Sequence, residues 1–258
     1  MITYELLDSY TEIAHFCTTR NGGVSMGNYA SNNLSPFSGD DLLHFSTNRN
    51  KLVEILGSEC HDIIIPFQNH GTEIREIDEA FLRLSLELKN DFLNGVDAIY
   101  TELSGICIGI TTADCVPLLF YDSEKNVIAA AHAGWRGTCG RIGEKTVHTL
   151  IEKYDCRPED IRVVIGPSIS AAVYEVGKEV IENFEAAGFD VSEIVTKRNN
   201  ATYLDLWKAN QLSLTEIGIQ NNHIETAGIC TFTEHEKFFS ARRLGIKSGR
   251  MLSGIMLK

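Results

Sequence analysis

Two histidines and one cysteine carry the side chains from which this chain could build a metal centre. His70 follows a short apolar run at residues 63–65, and Cys115 lies in a turn between two apolar runs. His132 ends an alanine-rich run and precedes a glycine. Imidazole nitrogen and thiolate sulfur are ligands that Zn²⁺ prefers, and three protein ligands leave a fourth position open. Such a site can polarise an oxygen or lower the pKa of a water to about 7.

Two other interpretations use the same three residues. In the first, both histidines are hydrogen-bonded turn residues and Cys115 is a small buried side chain. In the second, Cys115 is a nucleophile and His132 is its base. Asp114 or Asp97 would then orient the imidazole. Because metal ligands that are scattered along a chain have no fixed spacing, the residues alone leave these alternatives open.

Four arginines beside glycines or aromatic residues are candidates for binding an anion. They are Arg20, Arg136, Arg242 and Arg243. A guanidinium group can donate two parallel hydrogen bonds to a phosphate or a carboxylate. The competing interpretation is that these arginines are solvated surface residues in ion pairs.

The elements that must position these side chains follow from apolar periodicity. Strands are predicted at residues 63–65, 96–100, 105–110, 116–121, 127–131 and 161–165. Helices are predicted at residues 48–56, 143–154, 178–187 and 204–217, whereas residues 81–88 fit either type.

Several predicted strands between residues 96 and 131 follow one another without a helix. A purely parallel sheet would need a crossover at each step. We therefore expect an α/β (α+β) fold, a single layered domain over residues 1–258 with a mixed β-sheet flanked by helices. The sequence has neither the glycine fingerprint of dinucleotide-binding folds nor a phosphate-binding loop.

Composition narrows the possible partners and the compartment. The 258 residues include 23 Lys and Arg against 35 Asp and Glu, a net charge of −12. This balance disfavours binding to nucleic acid or to an anionic membrane surface. The seven cysteines are an odd number without a Cys-x-x-Cys pair, which is typical of free thiols in a reducing compartment. The first residues lack the features of a signal peptide, so we expect a cytoplasmic protein.

Seven short segments occur together and in order along the chain. They are Thr-Thr-Arg-x-Gly-Gly-Val-Ser at 18–25, Gln-x-His-Gly at 68–71, Ala-Asp-Cys-x-Pro at 113–117, His-Ala-Gly-Trp-Arg-Gly at 132–137, Ile-Gly-Pro at 165–167, Tyr-Glu-Val-Gly at 174–177 and Phe-Ser-x-Arg-Arg at 239–243. In this set the chain resembles the bacterial laccase-domain, or multicopper polyphenol oxidoreductase, family. Its members are now usually described as purine nucleoside phosphorylases, and one branch as a peptidoglycan editing factor.

The resemblance implies a single-domain layered α/β fold and a metal site, most often zinc, at His70, Cys115 and His132. These three residues, with Asp114, are then the expected catalytic residues. The implied activities are phosphorolysis of adenosine, inosine and methylthioadenosine, and hydrolytic deamination of adenosine. The partners are therefore a purine nucleoside and phosphate, and the four arginines above are the expected binding residues for substrate and phosphate.

Three positions depart from the family pattern. Ser168 stands where a cysteine is common, Ala241 replaces a tyrosine, and Leu244 replaces an acidic residue. The last two bear on how the substrate pocket is lined.

Other activities of the same site are alternatives. An amidase that edits peptidoglycan precursors would use the metal or Cys115, and a metal-storage or partner-binding role is a non-enzymatic alternative. A copper-dependent polyphenol oxidase is a weaker one: the ligand types accept copper, but the eight histidines contain no His-x-His pair. One site cannot store the several electrons that reduce O₂ to water.

For deamination, the motif of zinc nucleobase deaminases is absent, and Asp114 and Asp97 are equal candidates for moving the proton.

Overall fold

The computed structural model describes residues 1–258, and twelve strands form its framework. The strands are β1 Ile13–Cys17, β2 Asp62–Ile64, β3 Ile74–Glu76, β4 Ala98–Thr101, β5 Ile106–Thr112, β6 Val116–Asp122, β7 Val127–Ala133, β8 Ile161–Ile165, β9 Val195–Arg198, β10 Ala201–Leu204, β11 Ile224–Thr226 and β12 Met251–Leu257. The α-helices are α1 Glu5–Asp8, α2 Leu42–Leu56, α3 Glu79–Leu82, α4 Leu86–Leu93, α5 Trp135–Cys139, α6 Ile142–Tyr154, α7 Lys178–Ala186, α8 Val191–Ile194, α9 Leu206–Glu216 and α10 Ala241–Leu244.

The strands form two mixed sheets and a separate hairpin. The four-stranded sheet has the order β1-β12-β5-β2, and the six-stranded sheet has the order β11-β8-β6-β7-β4-β3. Each contains parallel and antiparallel pairs: β2 runs parallel to β5 while β12 runs antiparallel to it. The predicted α/β class with mixed sheet flanked by helices is confirmed, and the strands divide between two such sheets.

Side-chain alternation along the strands explains the layering. On β6, Leu118 and Phe120 pack against helices α6, α7 and α9, whereas Leu119 and Tyr121 pack between the two sheets. On the far side of the four-stranded sheet, Leu252 packs with Leu52 of α2. Because successive strand residues point to opposite faces, the layers run α2, four-stranded sheet, six-stranded sheet, helices. The expectation of one domain over residues 1–258 stays a prediction, which the core shared by both sheets supports.

Local capping decides the region that periodicity left ambiguous. Residues 81–88 belong to two short helices, because the Ser85 hydroxyl accepts a hydrogen bond from the Leu88 amide and starts a new helix there. Helix α2 begins earlier than predicted, where the Asp41 side chain caps the Leu43 amide.

The functional end of the molecule is where the chain crosses between the sheets. The segment after β2 leads from the four-stranded sheet to β3 in the six-stranded sheet, and it carries His70. The turn after β5 makes the same crossing to β6 and carries Cys115. His132 lies near the end of β7. Two crossings and one strand end therefore bring distant residues together.

No helix combines the length and the apolar character that crossing a membrane requires. All seven cysteines are free thiols, as predicted.

Candidate metal centre and active site

The predicted ligands His70, Cys115 and His132 converge at one point. One ligand atom from each lies within 4.8 Å of the others. The two imidazole rings meet edge to face, with centroids 4.8 Å apart. The protein has one such group of three or more potential ligands. It therefore offers two nitrogens and one sulfur to a single ion.

A buried carboxylate orients His132 from behind. Asp97, fully buried before β4, lies with Oδ1 2.7 Å from Nδ1 of His132. An imidazole that donates from Nδ1 presents Nε2 as a free electron pair, which is the form that binds a metal. This contact supports Asp97 as the residue that orients the imidazole.

The same carboxylate also holds the loop that carries His70. Its oxygens accept hydrogen bonds from the backbone amides of Asn69, His70 and Gly71, at 3.3, 3.0 and 2.7 Å. His70 has a φ of 67°, which is uncommon for a residue with a side chain. The amide bonds to Asp97 hold the backbone in this conformation.

Gly134 leaves the space that the ligands occupy. A Cβ atom at this position would lie 3.0 Å from Sγ of Cys115 and 3.2 Å from Cδ2 of His70. Gly134 in the His-Ala-Gly-Trp-Arg-Gly segment therefore permits the close approach of the Cys115 and His70 side chains.

The three side chains perturb one another electrostatically. Burial alone would raise the pKa of Cys115, but the charges and hydrogen bonds of His132 and His70 outweigh burial and lower it to about 6. Burial alone would lower the pKa of His132, but Cys115 and Asp97 raise it to about 9. Each of the two groups therefore stabilises the charged form of the other. A thiolate is the form that binds a metal.

The donor set fits a divalent metal ion. Two imidazoles and a thiolate match the ligand types of zinc, and Asp97 supplies the carboxylate that commonly supports a ligating histidine. The ligand types also accept copper. A multicopper centre would need further groups of ligands, and the protein has one.

The three ligands line a cavity of about 580 Å³. This volume lies in the range of small-molecule sites. The residues that line it are Ser35, Phe37, Ser38, Phe67, Gln68, His70, Thr111, Thr112, Ala113, Asp114, Cys115, His132, Trp135, Arg136, Ile169, Tyr174, Leu206, Ala241, Arg242, Ile246 and Arg250.

Asp114 lines this cavity, but its carboxylate is fully engaged. Thr231 Oγ donates to one oxygen, and Ser240 Oγ and the Arg242 amide donate to the other. Asp114 has a φ of 89°, so these bonds hold a strained turn next to Cys115. The contacts support a positioning role for Asp114 rather than the proton transfer expected of it.

The structure brings two of the four predicted arginines to the cavity. Arg136 and Arg242 line it, whereas Arg20 and Arg243 do not. Arg20 donates to the backbone oxygens of residues 30 and 235 and holds a loop. Arg243 donates to the carbonyl of Phe232. These two guanidinium groups bind backbone oxygens and lie outside the cavity lining, and their assignment to phosphate binding stays a prediction.

The two arginines at the cavity differ in how they are held. Arg242 donates to the carbonyl of Glu175 and lies 5.2 Å from the ring centre of Tyr174. Arg136 has no hydrogen-bonded or ion-pair partner and stacks on Trp135 at 4.3 Å. Burial raises the pKa of Tyr174 to about 12, while both cations act against this rise. The two positive charges therefore both act on Tyr174, which lines the same cavity.

Sequence reasoning did not select several residues of the cavity, including Phe37, Phe67 and Arg250. Gln68 and Tyr174 lie inside the segments that carry the family resemblance. Membership of these segments was the one sequence signal that could have selected them. Arg250 donates to backbone oxygens of residues 246, 248 and 249, so it closes its own loop. Of the departures from the family pattern, Ala241 lines the cavity and Leu244 does not. Ser168 accepts a hydrogen bond from the indole of Trp207.

Residues 14–258 match the family model described as multi-copper polyphenol oxidoreductase laccase. The chain belongs to this family. Among its relatives is a purine nucleoside phosphorylase of Bacteroides thetaiotaomicron, 45% identical over 259 aligned residues that cover 100% of this chain and 96% of the relative. Adenosine deaminase RL5, from an unknown prokaryotic organism, is 40% identical over 264 aligned residues that cover both chains completely.

Solved structures show the same fold. Bacillus licheniformis YfiH superposes with a TM-score of 0.90 at 33% identity, covering 97% of this chain and 95% of that one. YlmD from Geobacillus stearothermophilus gives a TM-score of 0.90 at 32% identity, covering 97% and 94%. The family predicted from the short segments is confirmed.

Proposed function

We propose that this protein is a zinc-dependent purine nucleoside phosphorylase. The observation that carries the proposal is the convergence of three metal-ligating side chains on a cavity that also exposes an unpaired guanidinium group, that of Arg136. The relative named purine nucleoside phosphorylase, which is 45% identical over the whole chain, supports it. The substrates we propose are adenosine, inosine and methylthioadenosine, with phosphate as the second reactant.

Phosphorolysis joins a phosphate oxygen to C1′ of the ribose and breaks the bond from C1′ to N9. The bonding electron pair leaves with the purine, which takes up the proton that the attacking hydrogen phosphate loses. Bringing a phosphate dianion to this carbon requires cations that hold it. Arg136 is available for this task because no protein group accepts a hydrogen bond from its guanidinium, and Arg242 provides a second charge in the same cavity.

The metal centre has a separate part in this proposal. When bound, a divalent ion would supply Lewis-acid polarisation of a substrate oxygen at its open coordination position. His70, Cys115 and His132 would hold the ion. Asp97 keeps the two histidines in place, and Asp114 fixes the turn that presents Cys115.

Adenosine deamination is a second candidate, favoured by the 40% identity to adenosine deaminase RL5 over the full chain. Deamination also needs a group that carries a proton to the departing amine. Asp97 and Asp114 were the candidates, and both carboxylates are occupied by hydrogen bonds. We propose phosphorolysis as the main activity because of the unpaired Arg136 guanidinium at the cavity.

The remaining expectations stay proposals. We propose a cytoplasmic enzyme whose partners are small molecules and which binds neither nucleic acid nor membrane. The amidase and copper oxidase alternatives would use the same cavity, and product analysis separates them from phosphorolysis.

The deciding experiment combines metal analysis with product identification. The purified protein is analysed for metal by mass spectrometry and incubated with adenosine, with and without phosphate. We expect about one zinc per chain and, only with phosphate, adenine and ribose 1-phosphate. Release of inosine and ammonia without phosphate would instead establish deamination. Consumption of O₂ with a phenolic substrate by the copper-loaded protein would favour the oxidase. Absence of all these products would overturn the proposed function.

A further inference from the structure

Two phenylalanines at the cavity are exposed and face no protein core. Phe37 and Phe67 line the cavity, are 47% and 43% exposed, and meet edge to face with ring centres 5.0 Å apart. Ile246 also lines the cavity and is 81% exposed. Large apolar side chains grouped at the opening of a cavity commonly mark a binding surface.

Two polar residues that line the cavity with these phenylalanines are already engaged within the protein. Gln68 donates to the carbonyl of Thr111 and accepts from the amide and hydroxyl of the same residue. Arg250 donates to carbonyl oxygens of its own loop. The surface that is free to contact a ligand at this wall is aromatic and aliphatic. Such a surface suits a flat ring better than a charged group.

The wall is fixed to the four-stranded side of the molecule. The segment before Phe37 is held where the Leu34 amide donates to the carbonyl of Arg250, next to β12. Arg136 instead belongs to α5, which packs against α6, α7 and α9 on the other side of the six-stranded sheet. The cavity therefore has an apolar flank and a cationic flank, and the ligands His70, Cys115 and His132 line the same space.

This division matches the requirements of the reaction. In a displacement at C1′, the attacking oxygen and the departing base lie on opposite sides of the carbon. Phosphate needs the cationic flank, so the base needs the other one. We infer that Phe37 and Phe67 form the platform that binds the purine base, an inference that rests on the proposed function for the orientation of the substrate.

Binding of adenine to the zinc-loaded protein tests the platform without requiring turnover. Adenine is titrated calorimetrically into the wild type and into Phe37→Ala and Phe67→Ala. Because each alanine variant loses an aromatic ring on which the base would stack, we expect it to bind adenine roughly tenfold more weakly. Phe37→Tyr keeps the ring and is expected to bind within about twofold of the wild type.

Leu43→Ala is the matched control, because Leu43 is 76% exposed and does not line the cavity. It should bind adenine like the wild type. Equal adenine affinity in wild type and both phenylalanine variants would overturn the platform, as would the absence of saturable binding to the wild type. A dimer that Phe37→Ala dissociates, with adenine binding unchanged, would assign the pair to a contact between copies and would also overturn it.

This test can fail independently of the proposed function. Phosphate-dependent cleavage of adenosine with unchanged adenine binding in the variants would leave the phosphorylase and remove the platform. Conversely, the phenylalanine variants could weaken adenine binding while the wild type shows no phosphate-dependent cleavage of adenosine. That result would support the purine site and overturn the proposed phosphorylase activity.

Discussion

The Asp97 carboxylate lies 2.7 Å from Nδ1 of His132. Through its bonds to the amides of residues 69–71, the same group also fixes the loop of the second histidine. One fully buried side chain thus positions two ligands that are far apart in the sequence. All of these contacts are between protein groups. The fold itself therefore positions the two histidines for metal binding.

Asp97→Asn is therefore expected to weaken metal binding without unfolding the protein. The amide lacks the charge that stabilises the His132 hydrogen bond, and its NH₂ group faces backbone donors. Loss of such a supporting residue typically lowers metal affinity about 10- to 100-fold. Competition with a chromogenic chelator measures the change.

Two further variants serve as controls for the Asp97→Asn measurement. Asp122→Asn alters another fully buried aspartate that accepts backbone amides at a turn remote from the cavity, and it should bind metal like the wild type. His132→Ala removes a ligand and should retain no stoichiometric metal. An Asp97→Asn protein with wild-type affinity would show that the carboxylate does not position the ligands.

Gly134→Ala is expected to lower the metal content of the protein while α5 still forms. The added Cβ would press on Sγ of Cys115 and on the His70 ring, at 3.0 and 3.2 Å. The backbone at this position has a φ of −63°, which alanine adopts without strain, so the effect acts through space and not through the backbone. Metal content by mass spectrometry, with circular dichroism to check folding, measures the outcome; a full complement of metal would contradict the crowding argument.

Arg136→Ala is expected to raise the KM for phosphate by about tenfold or more, because a charge-assisted hydrogen bond contributes about 1.5–3 kcal/mol. The KM for the nucleoside should change much less. Steady-state assays with phosphate and adenosine varied separately measure both constants.

Arg243→Ala serves as the comparison for Arg136, since its guanidinium lies outside the cavity lining. It should leave the KM for phosphate unchanged. If the two variants shift this constant equally, the effect reflects general charge and not a phosphate contact.

His15 predicts a pH dependence of stability that is unrelated to the metal centre. Burial lowers the pKa of His15, with Asp8 opposing it. The unfolded chain therefore binds the proton more readily, and the free energy of unfolding falls as the pH drops below about 6.5. His15→Phe should lose less stability than the wild type between pH 7.5 and 5.5 in urea unfolding at equal metal content.

The control for this prediction is His148→Phe, because the His148 side chain is 54% exposed. It should retain the wild-type pH dependence. A His15→Phe protein that loses as much stability as the wild type over the same pH range would contradict the assignment.

Local patterns predicted the elements whose residues contact near neighbours in the chain. β8 occupies the predicted residues 161–165, and α6 differs from its prediction by one residue. The hairpin β9–β10 was missed because each strand has four residues and only Leu204 among them is buried, so the apolar pattern is weak. Its turn uses Asn199 and Asn200 at positive φ, where glycine is the usual signal.

β12 was also missed, although it is buried along its whole length between β1 and β5. Ser253 and Gly254 interrupt its apolar run. Gly254 is needed because a Cβ there would lie 2.7 Å from the ring of Phe16, a residue of the neighbouring strand. That requirement comes from a partner more than two hundred residues away, so no local pattern contains it.

The sequence by itself predicted the three candidate metal ligands, through residue types and the short segments that mark the family. Only the tertiary structure decided what surrounds them. It placed Arg136 and Arg242 at the cavity and Arg20 and Arg243 outside its lining. It also brought the Asp97 carboxylate into contact with the His132 imidazole. The physical reason is that side-chain chemistry belongs to each residue, whereas proximity depends on two crossings between sheets that join segments far apart in the chain.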